Sequence, residues 1–142
     1  MLHESCYWFE FGGSSIGRFS IIRLKWKIDS GGEKKFPLHF SVVFIPTNNS
    51  YYLLGGPANS NFLIFQQGKK MISNKNQMPT FRNFFSTVYY AQKVYVFGGY
   101  DGENKIQIKA CDYYDIVQSR WREISDMKVA RSQSASCRIN DQ

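Results

Sequence analysis

The sequence is poor in cysteine, proline and histidine and lacks any long apolar run. Of its 142 residues, 3 are cysteine, 4 are proline and 2 are histidine, and no two cysteines have the CxxC spacing of a zinc site. No apolar stretch reaches the roughly 18 residues that a membrane-spanning helix needs, and the first residues lack the basic and apolar regions of a secretory signal. We therefore expect no transmembrane segment and no metal centre. The odd, sparse cysteines indicate a reducing compartment, the cytoplasm.

Acidic residues are the minority among the charged side chains. The chain has 18 Lys and Arg against 11 Asp and Glu, which gives a net charge of +7 and a pI near 9.4. A basic excess attracts acidic protein segments or nucleic acid, although a solvated basic surface explains it equally well. The lysines form small separate groups and no dense run, so charge alone is weak evidence and nucleic acid is disfavoured as a partner.

Pairs of adjacent glycines recur at a constant interval. The pairs are Gly12-Gly13, Gly55-Gly56 and Gly98-Gly99, each 43 residues after the one before, and each ends a short apolar run. A period between about 20 and 50 residues is typical of repeat architectures. Neighbouring repeats build binding surfaces jointly. The interval therefore favours a binding module before any catalytic residue is considered.

Residues 78–126 show the repeating unit most clearly. The expected strands, from apolar and β-branched runs between turn signals, are 84–91, 94–97, 105–114 and 120–124. Alternation in the third of these runs predicts that Ile106, Ile108 and Ala110 share one face. Four short strands joined by tight turns predict one antiparallel sheet.

Two further units precede this one, and the start of another follows it. Residues 36–77 repeat the plan with predicted strands at 40–45, 51–54, 62–65 and 70–72. Residues 1–35 begin directly at a second strand, with predicted strands at 7–11, 19–24 and 26–28. Within residues 127–142, the segment 132–139 is predicted to be the first strand of a further unit. The fold class expected is all-β, with about three four-stranded antiparallel sheets along residues 1–142.

The pattern of residues 78–126 resembles the Kelch repeat family of β-propellers. That family's pattern has a glycine doublet ending the second strand, a Tyr-Asp pair closing the third and a Trp in the fourth. Here Gly98-Gly99, Tyr114-Asp115 and Trp121 match these positions. The resemblance implies a Kelch-type β-propeller segment in which Tyr114 and Trp121 pack between adjacent blades.

The sequence supplies too few blades to close a propeller ring. Propellers carry about 4–8 blades, and this sequence supplies two complete units, three strands of another and one further strand. Three explanations stay open: a fragment or degenerate member of a longer propeller, an open arc, or self-association with a second copy that completes the ring. The first is favoured on the sequence alone.

The resemblance also implies partner-binding residues. In the family, the arginine before the first strand of each blade can point to the central mouth and bind acidic peptides. Arg82 and Arg131 match that position, each four residues after a methionine, while Phe40 replaces the arginine in residues 36–40. The same arginines are also suited to holding backbone carbonyls or an aspartate inside the fold. Tyr100 and Asp101 follow the doublet in a loop at the expected blade rim and complete the candidate set.

The function expected is a protein–protein interaction or scaffold module without a cofactor and without enzymatic activity. The family suggests adaptors of ubiquitin ligases or cytoskeletal scaffolds, on analogy alone. The alternative is a degenerate enzyme-type propeller that binds a small metabolite or sugar. Residues 12–17 (GGSSIG) superficially resemble a phosphate-binding turn, but they lead into a predicted strand and not into the helix that such a site needs.

Overall fold

Antiparallel β-strands form the regular structure of this chain. The computed structural model describes residues 39–55, 62–66 and 76–139 with their side chains, and the backbone of 5–9, 15–20, 25–30 and 72–73. Over these residues there are thirteen strands and one three-residue 3₁₀ turn. The expected all-β class is therefore confirmed. No helix in the described ranges has the length and apolar character needed to cross a membrane.

The first sheet has three strands. They are β1 (Ser5–Phe9), β2 (Ser15–Ser20) and β3 (Lys25–Ser30), paired in the order β1-β2-β3. Strand β1 therefore lies at one edge of the sheet, and β2 covers its other side. The doublet at residues 12 and 13 lies outside the described residues.

The second sheet has four strands. They are β4 (Ser41–Ile45), β5 (Ser50–Leu54), β6 (Phe62–Gln66) and β7 (Ile72–Ser73), paired in that order. The 3₁₀ turn Pro46–Asn48 joins β4 to β5, and Asn49 ends it in the left-handed conformation at φ 52°. Gly55 follows β5 with φ 100°, and residue 56 lies outside the described residues.

The third sheet also has four strands, with a small hairpin inserted in the middle. Its strands are β8 (Ser86–Tyr90), β9 (Lys93–Phe97), β12 (Cys111–Asp115) and β13 (Arg120–Ile124), in the spatial order β8-β9-β12-β13. The hairpin pairs β10 (Tyr100–Asp101) with β11 (Ile106–Gln107). Ala91 and Gln92 join β8 to β9 with φ of 47° and 58°, the two positive values that suit a two-residue hairpin turn.

The long third strand expected over 105–114 is wrong. Ile106–Gln107 pairs with Tyr100–Asp101 instead of β9, and the ladder with β9 begins only at Cys111. The reason is the backbone of the doublet, because Gly98 and Gly99 at φ 59° and 119° turn the partner chain away. Alternation along a sequence shows which residues share a face, but not which strand they pair with.

A left-handed residue recurs before the first strand of each unit. His39, Phe84 and Gln133 have φ of 55°, 55° and 54°. The first two come shortly before β4 and β8. By this register, residues 135–139 occupy the place of the next first strand.

Residues 132–139 nevertheless form no strand, contrary to the sequence-based prediction. The segment lies beside β8, where Gln133 N–H donates to Phe84 O at 2.7 Å and the Ser136 hydroxyl donates to Thr87 O at 2.9 Å. No described strand pairs with it. A β-ladder needs a second chain segment, and the described residues supply none beside 132–139.

The main core lies between the second and third sheets. The second sheet contributes Val43, Tyr52, Leu54 and Phe62, and the third contributes Val94, Val96 and Tyr114, with Phe85 and Met78 between them. A smaller cluster of Phe40, Leu53 and Leu63 lies on the opposite face of the second sheet. Each fully buried side chain of this kind contributes about 1.5–3 kcal/mol. The core therefore holds these two sheets face to face.

Candidate partner-binding site

Arg82 lies inside the third sheet and not on its surface. Its residue is 1% exposed, and its two terminal nitrogens are occupied. One donates to Gly98 O at 3.1 Å and to Ala110 O at 2.7 Å, and the other donates to the Asp112 carboxylate. The guanidinium thus joins β9 to β12 at the point where the ladder between them ends. Because no surface of Arg82 is available to a partner, it is not part of the candidate binding surface.

The Arg82–Asp112 ion pair is buried on both sides. Burial lowers the pKa of Arg82, and the Asp112 carboxylate opposes that change. Burial likewise raises the pKa of Asp112, and Arg82 opposes that rise. Each charge therefore depends on the other, and removing either one leaves an uncompensated charge in the core. Among the described side chains, Nε of Arg82 is one of two buried polar atoms without a hydrogen-bond partner.

The glycine doublet is a meeting point of three chain segments. Gly98 N–H donates to Ala110 O at 3.0 Å, and Gly99 N–H donates to Arg131 O at 2.9 Å. A Cβ on Gly98 would lie 2.5 Å from Arg131 O, and one on Gly99 would lie 2.8 Å from Asn83 O. These approaches leave no room for a side chain, so the doublet allows three backbones to converge at one end of the sheet.

Asp101 shapes the hairpin that follows the doublet. One carboxylate oxygen accepts from the N–H groups of Glu103 and Asn104 at 2.9 and 3.0 Å, and the other accepts from the Asn104 side-chain amide at 2.7 Å. The hydrogen bonds from Asn104 and Glu103 lower the pKa of Asp101. Tyr100 anchors the hairpin through its backbone, which exchanges hydrogen bonds of 2.7 and 2.9 Å with Asn83.

Arg131, unlike Arg82, projects from the fold. Its backbone is held by Gly99 and by Ile108, whose carbonyl accepts the Arg131 N–H at 3.4 Å, while the residue itself is exposed. The two arginines occupy the same place in the repeat, two residues before the left-handed Phe84 and Gln133. The difference is the environment, because Asp112 and two carbonyls surround one guanidinium and solvent surrounds the other.

Counting from the left-handed residues also changes the position assigned to Phe40. Phe40 directly follows His39 as Phe85 follows Phe84, and both phenylalanines are buried, at 7% and 5% exposure. The place of Arg82 falls on residue 37, which lies outside the described residues. The predicted equivalence of Phe40 with the arginines is therefore wrong, because the sequence comparison placed Phe36 opposite Met78 and missed the backbone register.

The hairpin and the segment bearing Arg131 form one continuous surface, here called the hairpin surface (residues 100–110 and 126–132). Hydrogen bonds join the two segments, from Met127 N–H to Lys109 O at 3.0 Å and from the Gln107 amide to the Ser132 hydroxyl at 3.2 Å. Ile106 and Val129 are apolar residues exposed on this surface, at 54% and 59%.

Cationic side chains outnumber acidic ones by four to three on the hairpin surface. Its exposed cationic residues are Lys105, Lys109, Lys128 and Arg131. Asp101, Glu103 and Asp126 are its acidic residues, and the first of these is occupied in the hairpin turn. Two exposed apolar residues with several separate cations suit an acidic segment that also carries apolar side chains. Sequence reasoning missed Ile106 and Val129, because exposure of an apolar residue is a property of the fold and not of the pattern.

Tyr114 and Trp121 lie at the contact between the second and third sheets. Tyr114 is 3% exposed, and its ring meets Phe62 edge-on with centroids 4.8 Å apart. Trp121 lies 5.3 Å from Tyr114 and donates its indole N–H to Asn76 O at 2.8 Å. Both rings thus pack between the second and third sheets. They do not form an open aromatic cage that could bind a ligand.

Groups suited to catalysis are sparse in the described part of the chain. No cluster of three or more His, Cys, Asp or Glu side chains there is placed to hold a metal ion. An open depression of about 550 Å³ runs along β13. The residues lining it are Pro79, Tyr113, Trp121, Arg122, Glu123 and Ile124. A single carboxylate in an open depression supports no acid–base pair.

Comparison with known proteins agrees with this picture. A family model described as the Kelch motif matches residues 82–128, which run from the buried arginine through the hairpin to the segment before Arg131. The chain is also similar to alpha-scruin from Limulus polyphemus, at 30% identity over 69 residues. That match covers 45% of this chain and 8% of alpha-scruin, so the chain spans less than a tenth of the relative's length. The resemblance found in the sequence is confirmed.

Proposed function

We propose that this chain, which carries a Kelch repeat, is a protein-interaction module that binds an acidic, partly apolar segment of another protein at the hairpin surface. Kelch repeats are generally protein-interaction modules. The observation that carries the proposal is the exposure of Ile106, Val129 and four cationic side chains on two segments that hydrogen bonds hold together. A scaffold role in the cytoplasm is part of the same proposal.

The rigidity of the base supports a binding role for this surface. The hairpin and the segment bearing Arg131 are both tied to the doublet, and Arg82 holds the doublet to β12 from inside. A surface held by buried contacts loses little conformational freedom when a partner docks, so more of its contact energy is retained as affinity. Exposed loops on such a base are where binding residues concentrate.

Arginine is well suited to the acidic side chains of the proposed partner. Its planar guanidinium can grip a carboxylate through two parallel hydrogen bonds, whereas the lysines supply mobile point charges. We therefore assign the main anion contact to Arg131 and a steering role to Lys105, Lys109 and Lys128. Steering charges raise the association rate and make it depend on salt.

Binding of a labelled peptide tests the proposal. The probe is a fluorescein-labelled 12-residue peptide made of Glu and Leu in equal number, with a Lys and Leu peptide of the same length as its counterpart. Charge reversal at Lys128→Glu and Arg131→Glu should weaken binding of the Glu peptide by about tenfold or more, which corresponds to about 1.4 kcal/mol. The dissociation constant is measured by fluorescence anisotropy.

The matched control is Arg120→Glu with Arg122→Glu, which makes the same change in net charge. Both of these arginines are exposed on β13, and Arg120 lies at the end of that strand remote from the hairpin surface. The control variant should bind the Glu peptide within about twofold of the unmodified chain. Equal losses in the two variants, or tighter binding of the Lys peptide, would overturn the proposal. So would a DNA duplex that binds more tightly than the Glu peptide and loses affinity in the first variant.

A further inference from the structure

The hairpin after the glycine doublet contains a reactive dipeptide. Asp101 and Gly102 form the only Asp-Gly pair of the sequence, which has no Asn-Gly pair. The backbone nitrogen that follows an aspartate can attack the side-chain carboxyl carbon, and glycine has no Cβ to shield that nitrogen. Gly102 is exposed, and a Cβ built there would meet no atom closer than 3.9 Å. The surroundings of Gly102 therefore leave its nitrogen sterically unshielded.

The reaction of this pair is an isomerisation that consumes no other reactant. Gly102 N attacks Cγ of the protonated Asp101 carboxyl group. A bond forms between these two atoms, the bond from Cγ to the hydroxyl oxygen breaks, and the hydroxyl leaves with the amide proton as water. Water then adds back to the cyclic succinimide. Addition at Cγ restores aspartate, whereas addition at the main-chain carbonyl carbon breaks its bond to Gly102 N and gives isoaspartate.

Three hydrogen bonds to the Asp101 carboxylate oppose this attack. One oxygen accepts from the N–H groups of Glu103 and Asn104 at 2.9 and 3.0 Å, and the other accepts from the Asn104 side-chain amide at 2.7 Å. These bonds are stronger to a carboxylate than to a carboxylic acid, so they disfavour the protonated form that reacts. They accordingly lower the pKa of Asp101. Rotation of the carboxyl group toward Gly102 N would also break them.

The backbone of the hairpin opposes ring closure as well. Asp101 pairs with Ile106, and Tyr100 pairs with Gln107. Closing the succinimide brings Asp101 Cγ against Gly102 N, which turns ψ of Asp101 away from the extended value of a strand. The pairing with Ile106 must therefore open first. Since the hairpin has only two residue pairs and both residues of β11 are exposed, it opens at a lower free energy than the whole fold.

We propose that Asp101 is a site of spontaneous isomerisation to isoaspartate, which the folded hairpin suppresses and which proceeds when the hairpin opens. Asn104 is the positioning residue, because among the described side chains it is the one that donates to this carboxylate. Glu103 contributes its backbone N–H alone. The hairpin thus protects its own reactive pair through the turn that the aspartate builds.

Isomerisation would alter the hairpin surface. Isoaspartate routes the chain through Cβ and Cγ, which adds one carbon to the backbone and leaves the carboxylate directly on Cα. The carboxylate then lacks the methylene that carries it to the N–H groups of Glu103 and Asn104. The pairing of β10 with β11 loses its turn, and Ile106 moves with β11. The resulting loss of partner binding is the one part of the inference that rests on the proposed function.

Rates of isoaspartate formation test the inference without reference to binding. The full chain is incubated at neutral pH, folded or in urea, and isoaspartate at residue 101 is quantified by peptide mapping with electron-transfer mass spectrometry. The unmodified chain should react at least about tenfold faster in urea than when folded. Asn104→Ala should accelerate the folded chain by about tenfold, because it removes a charge-assisted hydrogen bond.

The matched control is Glu103→Ala, which keeps the backbone N–H and should react within about twofold of the unmodified folded chain. In urea all three chains should react equally, since the protection needs the hairpin, and Gly102→Ala should form far less isoaspartate there. Equal rates for the unmodified chain folded and in urea would overturn the proposal. So would an unchanged rate in Asn104→Ala, an equal acceleration in Glu103→Ala, or a difference between the chains that persists in urea.

Binding of the Glu peptide tests the consequence separately. The isoaspartate form, isolated by ion-exchange chromatography, should bind the Glu peptide more weakly than the fresh chain by about threefold or more. Equal affinities would overturn the expected change in the hairpin surface. If the fresh chain itself does not bind the Glu peptide, the proposed function falls, while the rates of isoaspartate formation still decide whether the hairpin protects Asp101.

Discussion

Arg82 donates to the Asp112 carboxylate inside the third sheet while its other terminal nitrogen donates to the carbonyl oxygens of Gly98 and Ala110. This one side chain satisfies an acceptor directly after β9, one on β12 and one on the segment between the hairpin and β12. Because the hairpin surface is tied to the same backbone, its geometry depends on a pair that no partner can reach. The contribution of this ion pair to the free energy of unfolding therefore bears on the whole hairpin surface.

Removing one member of the ion pair should destabilise the fold strongly. Arg82→Ala leaves Asp112 as an uncompensated buried carboxylate, and we expect a loss of about 3–5 kcal/mol in the free energy of unfolding. Asp112→Ala should cost a similar amount. The double variant Arg82→Met with Asp112→Leu should lose less than the sum of the two, measured by urea denaturation. Additive losses would show that the two side chains act independently.

The doublet should not tolerate a methyl group. Gly98→Ala places a Cβ 2.5 Å from Arg131 O at a residue with φ 59°. We expect a loss of at least about 2 kcal/mol in the free energy of unfolding, from left-handed strain together with the clash.

Gly102→Ala is the matched control for that substitution. Its Cβ would meet no atom closer than Asn83 Nδ2 at 3.9 Å, so the unfolding free energy should change by less than about 0.5 kcal/mol. Thermal or urea unfolding of both variants makes the comparison. Similar losses at the two glycines would mean that convergence of the backbones does not restrict the doublet.

The hairpin should loosen at acid pH. Hydrogen bonds to the Asp101 carboxylate hold its folded pKa below the ordinary value of 3.8. The group therefore contributes stability that is present above pH 3.8 and is lost as the pH falls through the folded pKa. The amide proton shifts of Glu103 and Asn104 report this titration by NMR.

Asp101→Asn should remove the titration while keeping one acceptor oxygen. The amide shifts of Glu103 and Asn104 in that variant should stay constant over the same pH range. A midpoint at or above 3.8 in the unmodified chain would contradict the predicted role of the carboxylate in the turn.

The aromatic contact between the second and third sheets should contribute substantially to stability. Tyr114→Ala opens a cavity next to Phe62, and we expect a loss of about 3–5 kcal/mol in the free energy of unfolding. Trp121→Phe keeps a ring but removes the hydrogen bond to Asn76 O, for a loss of about 1 kcal/mol. Val117→Ala is the control, since Val117 is 71% exposed and its truncation should leave the unfolding midpoint unchanged.

Much of the architecture was predictable from the residues alone. The glycine doublets marked the ends of β5 and β9, and the apolar runs located these strands and β13 to within a residue. These features are local, because a strand needs a suitable run and a glycine at its end needs positive φ. The Kelch resemblance followed from the same local pattern.

The tertiary structure decided what the local pattern leaves open. Arg82 and Arg131 have the same sequence context, yet one is buried against Asp112 and the other is exposed, because their environments come from residues distant in sequence. The run 105–114 alternates like one strand, yet the turn at Gly98 and Gly99 divides it between two partners. By itself, the sequence determined where β5, β9 and β13 form and where the chain turns after the first two, since those depend on short-range sterics. Only the folded chain decided which strands pair and which charges are buried, because these depend on contacts between distant segments.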